Sequence, residues 1–187
     1  MTKQLNLFGE NNQILAPRPE KLVMNPEALV QWKSRIFDYQ QQVRQTKPPL
    51  QTSLFDIAPS QWNSDAIDPF SLKLHTSLFY ELPDWGDESC LYFIIDVTLP
   101  LLLYVGETKR TPRTRWLGVH DCKDYILNYI ELHRKYKFDV AVGTAFEWGA
   151  PADRKTRQQL ERELILRWRS PFNKECWERW GQPFGKI

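Results

Sequence analysis

Hydrophobic and polar positions divide this chain into a polar lead-in, one helical stripe and a denser run of short apolar segments. Residues 1–24 are polar, carry the stretch APRPEK and show no periodicity, which reads as a flexible arm. From Asn25 the pattern changes: Leu29, Trp32, Ile36, Tyr39 and Val43 step 3-4-3-4, the single stripe of an amphipathic helix. Asn25 is placed to cap it, with Pro26 at the first helical position and Glu27 in the first turn. The prolines at 48 and 49 end it, because the residue before a proline is pushed out of helical geometry. Residues 48–70, with Pro49, Pro59 and Pro69, read as loop.

Beyond Ser71 the periods shorten. SLKLHTSLFYEL (71–82) alternates as a strand does; CLYFIIDVT (90–98) and LLLYVGE (101–107) are apolar, β-branched and aromatic runs joined at Leu99-Pro100, a buried hairpin. TPRTRWLGVH (111–120) reads as a short helix or turn, 121–136 as a clear helix, and FDVAVGTAFEW (138–148) as a third strand. A long helix covers about 153–169 and stops at Ser170-Pro171. The C-terminal half therefore predicts β-β-α-α-β-α, a small three-stranded sheet with helices on it, of α/β class. The organisation expected is an arm (1–24), a helix-and-linker extension (25–70) and one folded domain (71–187).

Composition alters this picture little. With 187 residues, 42% hydrophobic and 26% charged, a real core is possible in at least part of the chain. The distribution of charge says more than its sum of +2: residues 108–187 carry 17 Lys and Arg against 10 Asp and Glu, whereas residues 1–107 carry 8 against 13. A basic half joined to a mildly acidic one is what a phosphate-binding domain with a separate arm would show, and equally two solvated surfaces. Cys90, Cys122 and Cys176 have no zinc-ligand or disulfide spacing and suit a reducing compartment. Without a signal-like segment or a run of about 18 apolar residues, a soluble, cytoplasmic protein is expected.

One residue breaks the pattern of the last helix. At about 100° per residue, Leu164, Ile165 and Trp168 fall within roughly 60° of Glu161 on both sides, so a carboxylate stands in the stripe that must be buried. Glu163 projects to the solvent side. A buried carboxylate needs a cation, a strong donor or a raised pKa. The sequence leaves two candidates for the partner: an ion pair with Arg157, one turn earlier, or a metal ion.

Several motifs stand in order around it. Cys90-Leu91-Tyr92 and Tyr104-Val105-Gly106 lie on the two hairpin strands; Arg115-Trp116 and His120 follow; Glu161-Arg-Glu-Leu164-Ile165 lies on the last helix; Ser170-Pro-Phe-Asn173 comes after its stop. In this order they resemble the GIY-YIG endonuclease family over residues 88–175. This chain has Cys90 where the family pattern opens with glycine, and its Arg115-to-His120 interval is one residue longer. The resemblance implies a GIY-YIG-like α/β fold and Mg²⁺- or Mn²⁺-dependent hydrolysis of DNA, in repair, recombination or defence, at the nucleoid. It implies Glu161 as metal ligand, Tyr92 as general base, Tyr104 and His120 as its partners and Arg115 as phosphate clamp. Lys109, Arg110 and Arg113 would draw DNA in, and Gly106 and Asn173 would be structural near the site. Taken singly, strand tyrosines read as core residues, and Trp177, Trp180 and Phe184 as residues closing the core. A catalytically silent DNA-binding or adaptor module of the same fold is the alternative, and an RNA-directed nuclease a further one.

In the arm, Gln4-Leu5-Asn6-Leu7-Phe8 resembles the short peptide with which bacterial DNA-processing proteins dock on the replication sliding clamp. Leu7 and Phe8 would fill an apolar pocket with Gln4 bonded at its rim. Gln51–Phe55 is a weaker second copy.

Overall fold

The computed structural model describes residues 24–46, 62–76, 88–111, 114–115 and 121–184. Gln4, Leu5, Leu7 and Phe8, the second peptide at 51–55, Arg113, Trp116 and His120 lie outside the described residues.

Helix α1 (Pro26–Gln45) starts as its sequence dictates, with the Asn25 side chain accepting the Ala28 N–H at 2.7 Å. Leu29, Trp32 and Ile36 are fully buried, while Tyr39 and Val43 are half-buried. The fourth buried residue is Gln40, which the apolar stripe does not contain. Burying an amide is tolerable only if its groups are bonded, and all of this one's contacts are main-chain. Its Nε2 donates to the carbonyls of Leu102 (2.9 Å) and Trp168 (3.1 Å), and its Oε1 accepts the Leu102 N–H (2.8 Å).

The sheet corrects an expectation. It has four strands among the described residues: β1 (Leu74–His75), β2 (Cys90–Asp96), β3 (Leu101–Thr108) and β4 (Val142–Trp148), in the antiparallel order β1-β4-β2-β3. Three were expected because the 71–82 alternation was left out of the sheet. Two of its residues, Leu74 and His75, pair with Ala145 and Thr144 along β4. Gly143 permits the close approach, since a Cβ there would collide with the Leu74 side chain. The hairpin β2–β3 forms as expected, with a register shift between Ile94 and Ile95.

Helix α2 (Asp121–Tyr136) and helix α3 (Arg154–Trp168) take opposite faces. Alternation puts Asp96 on the face of Tyr92, and Tyr92 pairs with Gly106, so Glu107 belongs to the other face. Tyr129 of α2 reaches Asp96, and Arg157 of α3 reaches Glu107. α3 ends at Trp168, and Arg169 closes it in the left-handed region (φ 50°), its N–H bonding the Ile165 carbonyl. The final turn α4 (Trp177–Trp180) brings Trp180 and Phe184 into the same core as Trp32, with Trp180 accepting the Trp32 indole N–H through its carbonyl. Among the described residues no helix is long and apolar enough to cross a membrane.

Two polar arrangements organise the interior. In the first, Asp96, with no exposed surface, accepts from Lys33 (3.0 Å), the Tyr129 hydroxyl, and the N–H and hydroxyl of Thr98 (3.0 and 2.7 Å). Lys33 also touches His133 Nε2 at 2.9 Å, while His133 Nδ1–H donates to the Tyr129 carbonyl. Burial pushes Asp96 up, but the Tyr129 and Thr98 bonds and Lys33 outweigh it and leave the carboxyl below its ordinary range.

The second runs along the outer edge of β3. Gln40 serves Leu102; the Phe172 N–H donates to the Leu103 carbonyl (2.9 Å); the Asn173 amide exchanges two bonds with Val105 (2.9 and 3.0 Å). Farther along the same edge, the Glu107 N–H acts to lower the pKa of the Glu161 carboxyl. An edge strand presents unpaired main-chain groups, and here the Gln40 side chain of α1 and the turn after α3 occupy them.

Candidate active site

The β2–β3 pairing brings the two tyrosines together. Tyr92 is 1% exposed, its ring centroid lies 5.9 Å from that of Tyr104, and their hydroxyls are hydrogen-bonded. The Tyr92 ring crosses Gly106, its cross-strand neighbour, where any Cβ would overlap the ring carbon and hydroxyl. That close approach, and not a turn, is why glycine stands at 106. Burial pushes the Tyr92 phenol well above its ordinary pKa, with Arg115 opposing and Cys122 and Glu161 adding to the rise. Burial pushes Tyr104 further, and Tyr92, Cys122 and Glu161 add to it. The contact between the two hydroxyls opposes the effect of burial at Tyr92 and adds to it at Tyr104.

Glu161 lies on α3 among Leu160, Leu164 and Ile165, as the helical geometry predicts, and Glu163 points to solvent, bonded by Gln159. The expected alternative of an ion pair with Arg157 is corrected. Arg157, 3% exposed, gives its Nε to the Glu107 carboxylate, and its Nη1 to the carbonyls of Pro151 (2.8 Å) and Ala152 (3.1 Å). The strand delivers a carboxylate on the face α3 covers, and that geometry wins over the neighbour one turn along the helix.

Glu161 is thereby left facing a pocket of about 350 Å³. Its lining comes from Tyr104, Arg115, Cys122, Tyr125, Ile165 and the turn Phe172–Glu175. Burial, then Glu107, then Glu175 raise the Glu161 pKa to about 7, against the opposing pull of the Glu107 N–H and Arg115. A hard oxygen donor in surplus negative charge suits a divalent cation. Among the described residues no three His, Cys, Asp or Glu side chains gather as a ligand set.

The site residues foreseen from sequence thus divide in three. Tyr92, Tyr104, Gly106, Arg115, Glu161 and Asn173 meet at or beside the pocket. Asn173 acts through its bonds to Val105 and the Ser170 hydroxyl, a scaffold role. Lys109 and Arg110 are exposed just past the end of β3, and Arg113 and His120 fall outside the described residues. Sequence reasoning missed Glu107, Cys122, Tyr125, Lys174 and Glu175. Only Glu107 had a usable signal, a charged residue directly after an apolar strand run.

Compared with models of protein families, with curated proteins and with solved structures, the chain shows no match.

Proposed function

We propose that this chain is a divalent-metal-dependent DNA endonuclease of the GIY-YIG kind, with Glu161 as the metal ligand. The reading is supported above all by one observation: a half-buried carboxylate, deprived of the arginine on its own helix, lines a pocket shared with Tyr104 and Arg115. Mg²⁺ or Mn²⁺ held there supplies a Lewis acid for the scissile phosphate and its leaving oxygen. The protein's own groups do the rest. Arg115 offers paired N–H donors to the phosphate oxygens and neutralises charge in the transition state. Both tyrosines are protonated at neutral pH, so Tyr104 fixes the Tyr92 hydroxyl and Tyr92 orients the attacking water by hydrogen bonding. Of the pair, Tyr92 is the one able to take on base character when positive charge is added nearby, as Arg115 already does in part. Glu161 must be ionised to bind a cation, so metal-dependent activity rises as pH passes about 7.

A DNA-binding module without catalysis is the second reading. The observation favouring it is the depth of Tyr92, at 1% exposure, together with the raised proton affinity of both phenols. Incubation with branched, nicked and plasmid DNA plus Mg²⁺ or Mn²⁺, beside Glu161→Ala, separates the two. The nuclease reading expects cleavage that the variant loses while DNA binding persists. Binding without cleavage by the parent protein would select the module.

The proposal extends to the Gln4–Phe8 peptide, as a tether to the sliding clamp of a nucleoid-associated protein. Titration with purified clamp should show binding that Leu7→Ala/Phe8→Ala abolishes; equal binding by both would remove the tether.

A further inference from the structure

Helix α3 carries its charge unevenly. With Glu161 set at zero and about 100° per residue, the buried residues Trp168, Arg157, Leu164 and Leu160 fill one flank, from about −20° to about −100°. Glu161 and Ile165 line the pocket, which fixes the direction of the next flank. On it stand Arg154 at about +20°, Gln158 at about +60° and Arg162 at about +100°, all three exposed. Glu163 lies on the far side, at about 160° the other way, where Gln159 bonds it. No acidic residue stands three or four positions from Arg154 or Arg162, so neither is neutralised from within the helix. The first turn also contains no acid, the reverse of what the helix dipole favours, so this charge is not there to stabilise the helix.

The neighbouring strand extends the flank. The Arg157–Glu107 ion pair sets the end of β3 against the first turns of α3. Lys109 and Arg110, both exposed, follow at that end, and the Thr108 hydroxyl fixes their turn by accepting the Arg110 N–H at 2.9 Å. Cations therefore stand on both sides of Glu161 along the helix: Arg162 on one, Arg154 with Lys109 and Arg110 on the other.

We infer that the Arg154–Gln158–Arg162 flank of α3 is a backbone track, along which one strand of a DNA duplex runs past the pocket. The inference rests on the reading of that pocket as a phosphodiester site. Arg154 and Arg162 are eight residues apart, about 12 Å along the helix axis, which matches the rise of about three phosphates of one strand. Gln158 offers an amide donor to the phosphate between them. Contacts of this kind set register and affinity and read no sequence.

The test is binding of a labelled DNA duplex by the full chain, in EDTA, over a series of salt concentrations. Each phosphate contact contributes about 0.9 to the slope of log K against log salt, so Arg154→Gln/Arg162→Gln should flatten it by about 2. Gln158→Lys, which adds a cation to the flank, should steepen it by about 1. Arg134→Gln/Lys135→Gln removes the same charge from the exposed last turn of α2, on the opposite face of the sheet, and should leave the parent slope. Equal flattening by the two double variants would overturn the track, as would a parent slope in the α3 variant or a parent chain that does not bind DNA. Metal and turnover play no part in this measurement. Binding that shows the α3 effect without Mg²⁺-dependent cleavage would defeat the nuclease reading alone, and cleavage with an unchanged slope would defeat the track alone.

Discussion

Asp96 and Glu161 are both carboxylates drawn into the protein, and they are treated in opposite ways. Asp96 is saturated: a lysine, a tyrosine and a threonine supply four bonds, and the group is held below its ordinary pKa. Glu161 faces a pocket, and burial, with Glu107 and Glu175 adding to it, raises its pKa to about 7. A carboxylate kept for stability is surrounded until no ligand can reach it. A carboxylate that faces a pocket keeps unused capacity, and the fold carries the cost of doing so.

The widest separation between the two should appear in activity. Glu161→Ala is expected to lose about 10³-fold or more in metal-dependent cleavage, whereas conservative changes at the Asp96 cluster that still fold should stay within a few-fold. Stability should show the reverse. Asp96→Ala strands Lys33 and the Tyr129 hydroxyl and is expected to cost about 3–5 kcal/mol, read by urea denaturation. Gly106→Ala comes next, at about 1–3 kcal/mol, because the added methyl displaces the Tyr92 ring and disturbs its bond to Tyr104. A Gly106→Ala protein with parent stability would mean that the ring has room to move.

The smallest contrast is in pH, and its signs differ. The lowered Asp96 carboxyl stabilises the fold above the ordinary carboxylate range and loses that contribution as pH falls through it. His133, lowered chiefly by burial and further by Lys33, is protonated first in the unfolded chain, so acid weakens this cluster from about pH 6.5 downward. Glu161 works the other way: its raised pKa means a penalty absent below the ordinary carboxylate range, growing to its full value above about pH 7. Glu161→Gln should therefore raise the melting temperature at pH 8 by about 2–4 °C, the shift of about 1 kcal/mol in a chain of this size, and leave it unchanged at pH 4. Divalent cation should raise the parent's melting temperature at pH 8 and not that of the variant.

Periodicity made much of this legible. The stripe of α1, the hairpin and the carboxylate in the α3 stripe follow from local rules of spacing. Gln40 was illegible because a polar residue between stripe positions reads as solvent-facing; only the bare edge of β3 gives its amide a reason to be buried. The fourth strand was undercounted because alternation over 71–82 marks a strand without naming its partner, and the partner, β4, lies about 70 residues later in the chain. The helix alone offered Arg157 only Glu161 as a partner, since the competing carboxylate arrives from a strand 50 residues earlier in the chain. Cys122, Tyr125, Lys174 and Glu175 share a pocket only because α2, α3 and the turn after α3 converge on β3.

The covered edge of β3 has a practical consequence for where this protein can be cut. A fragment limited to residues 88–175, the span of the family resemblance, would discard α1 and with it the Gln40 amide. The N–H and C=O of Leu102 would then open to solvent within a run of three buried leucines. Such an edge is a template for pairing with a neighbouring molecule, and self-association is the outcome to expect on concentration. A fragment that keeps this edge covered has to begin before Asn25, so α1 belongs to the same folded unit as the strands it precedes.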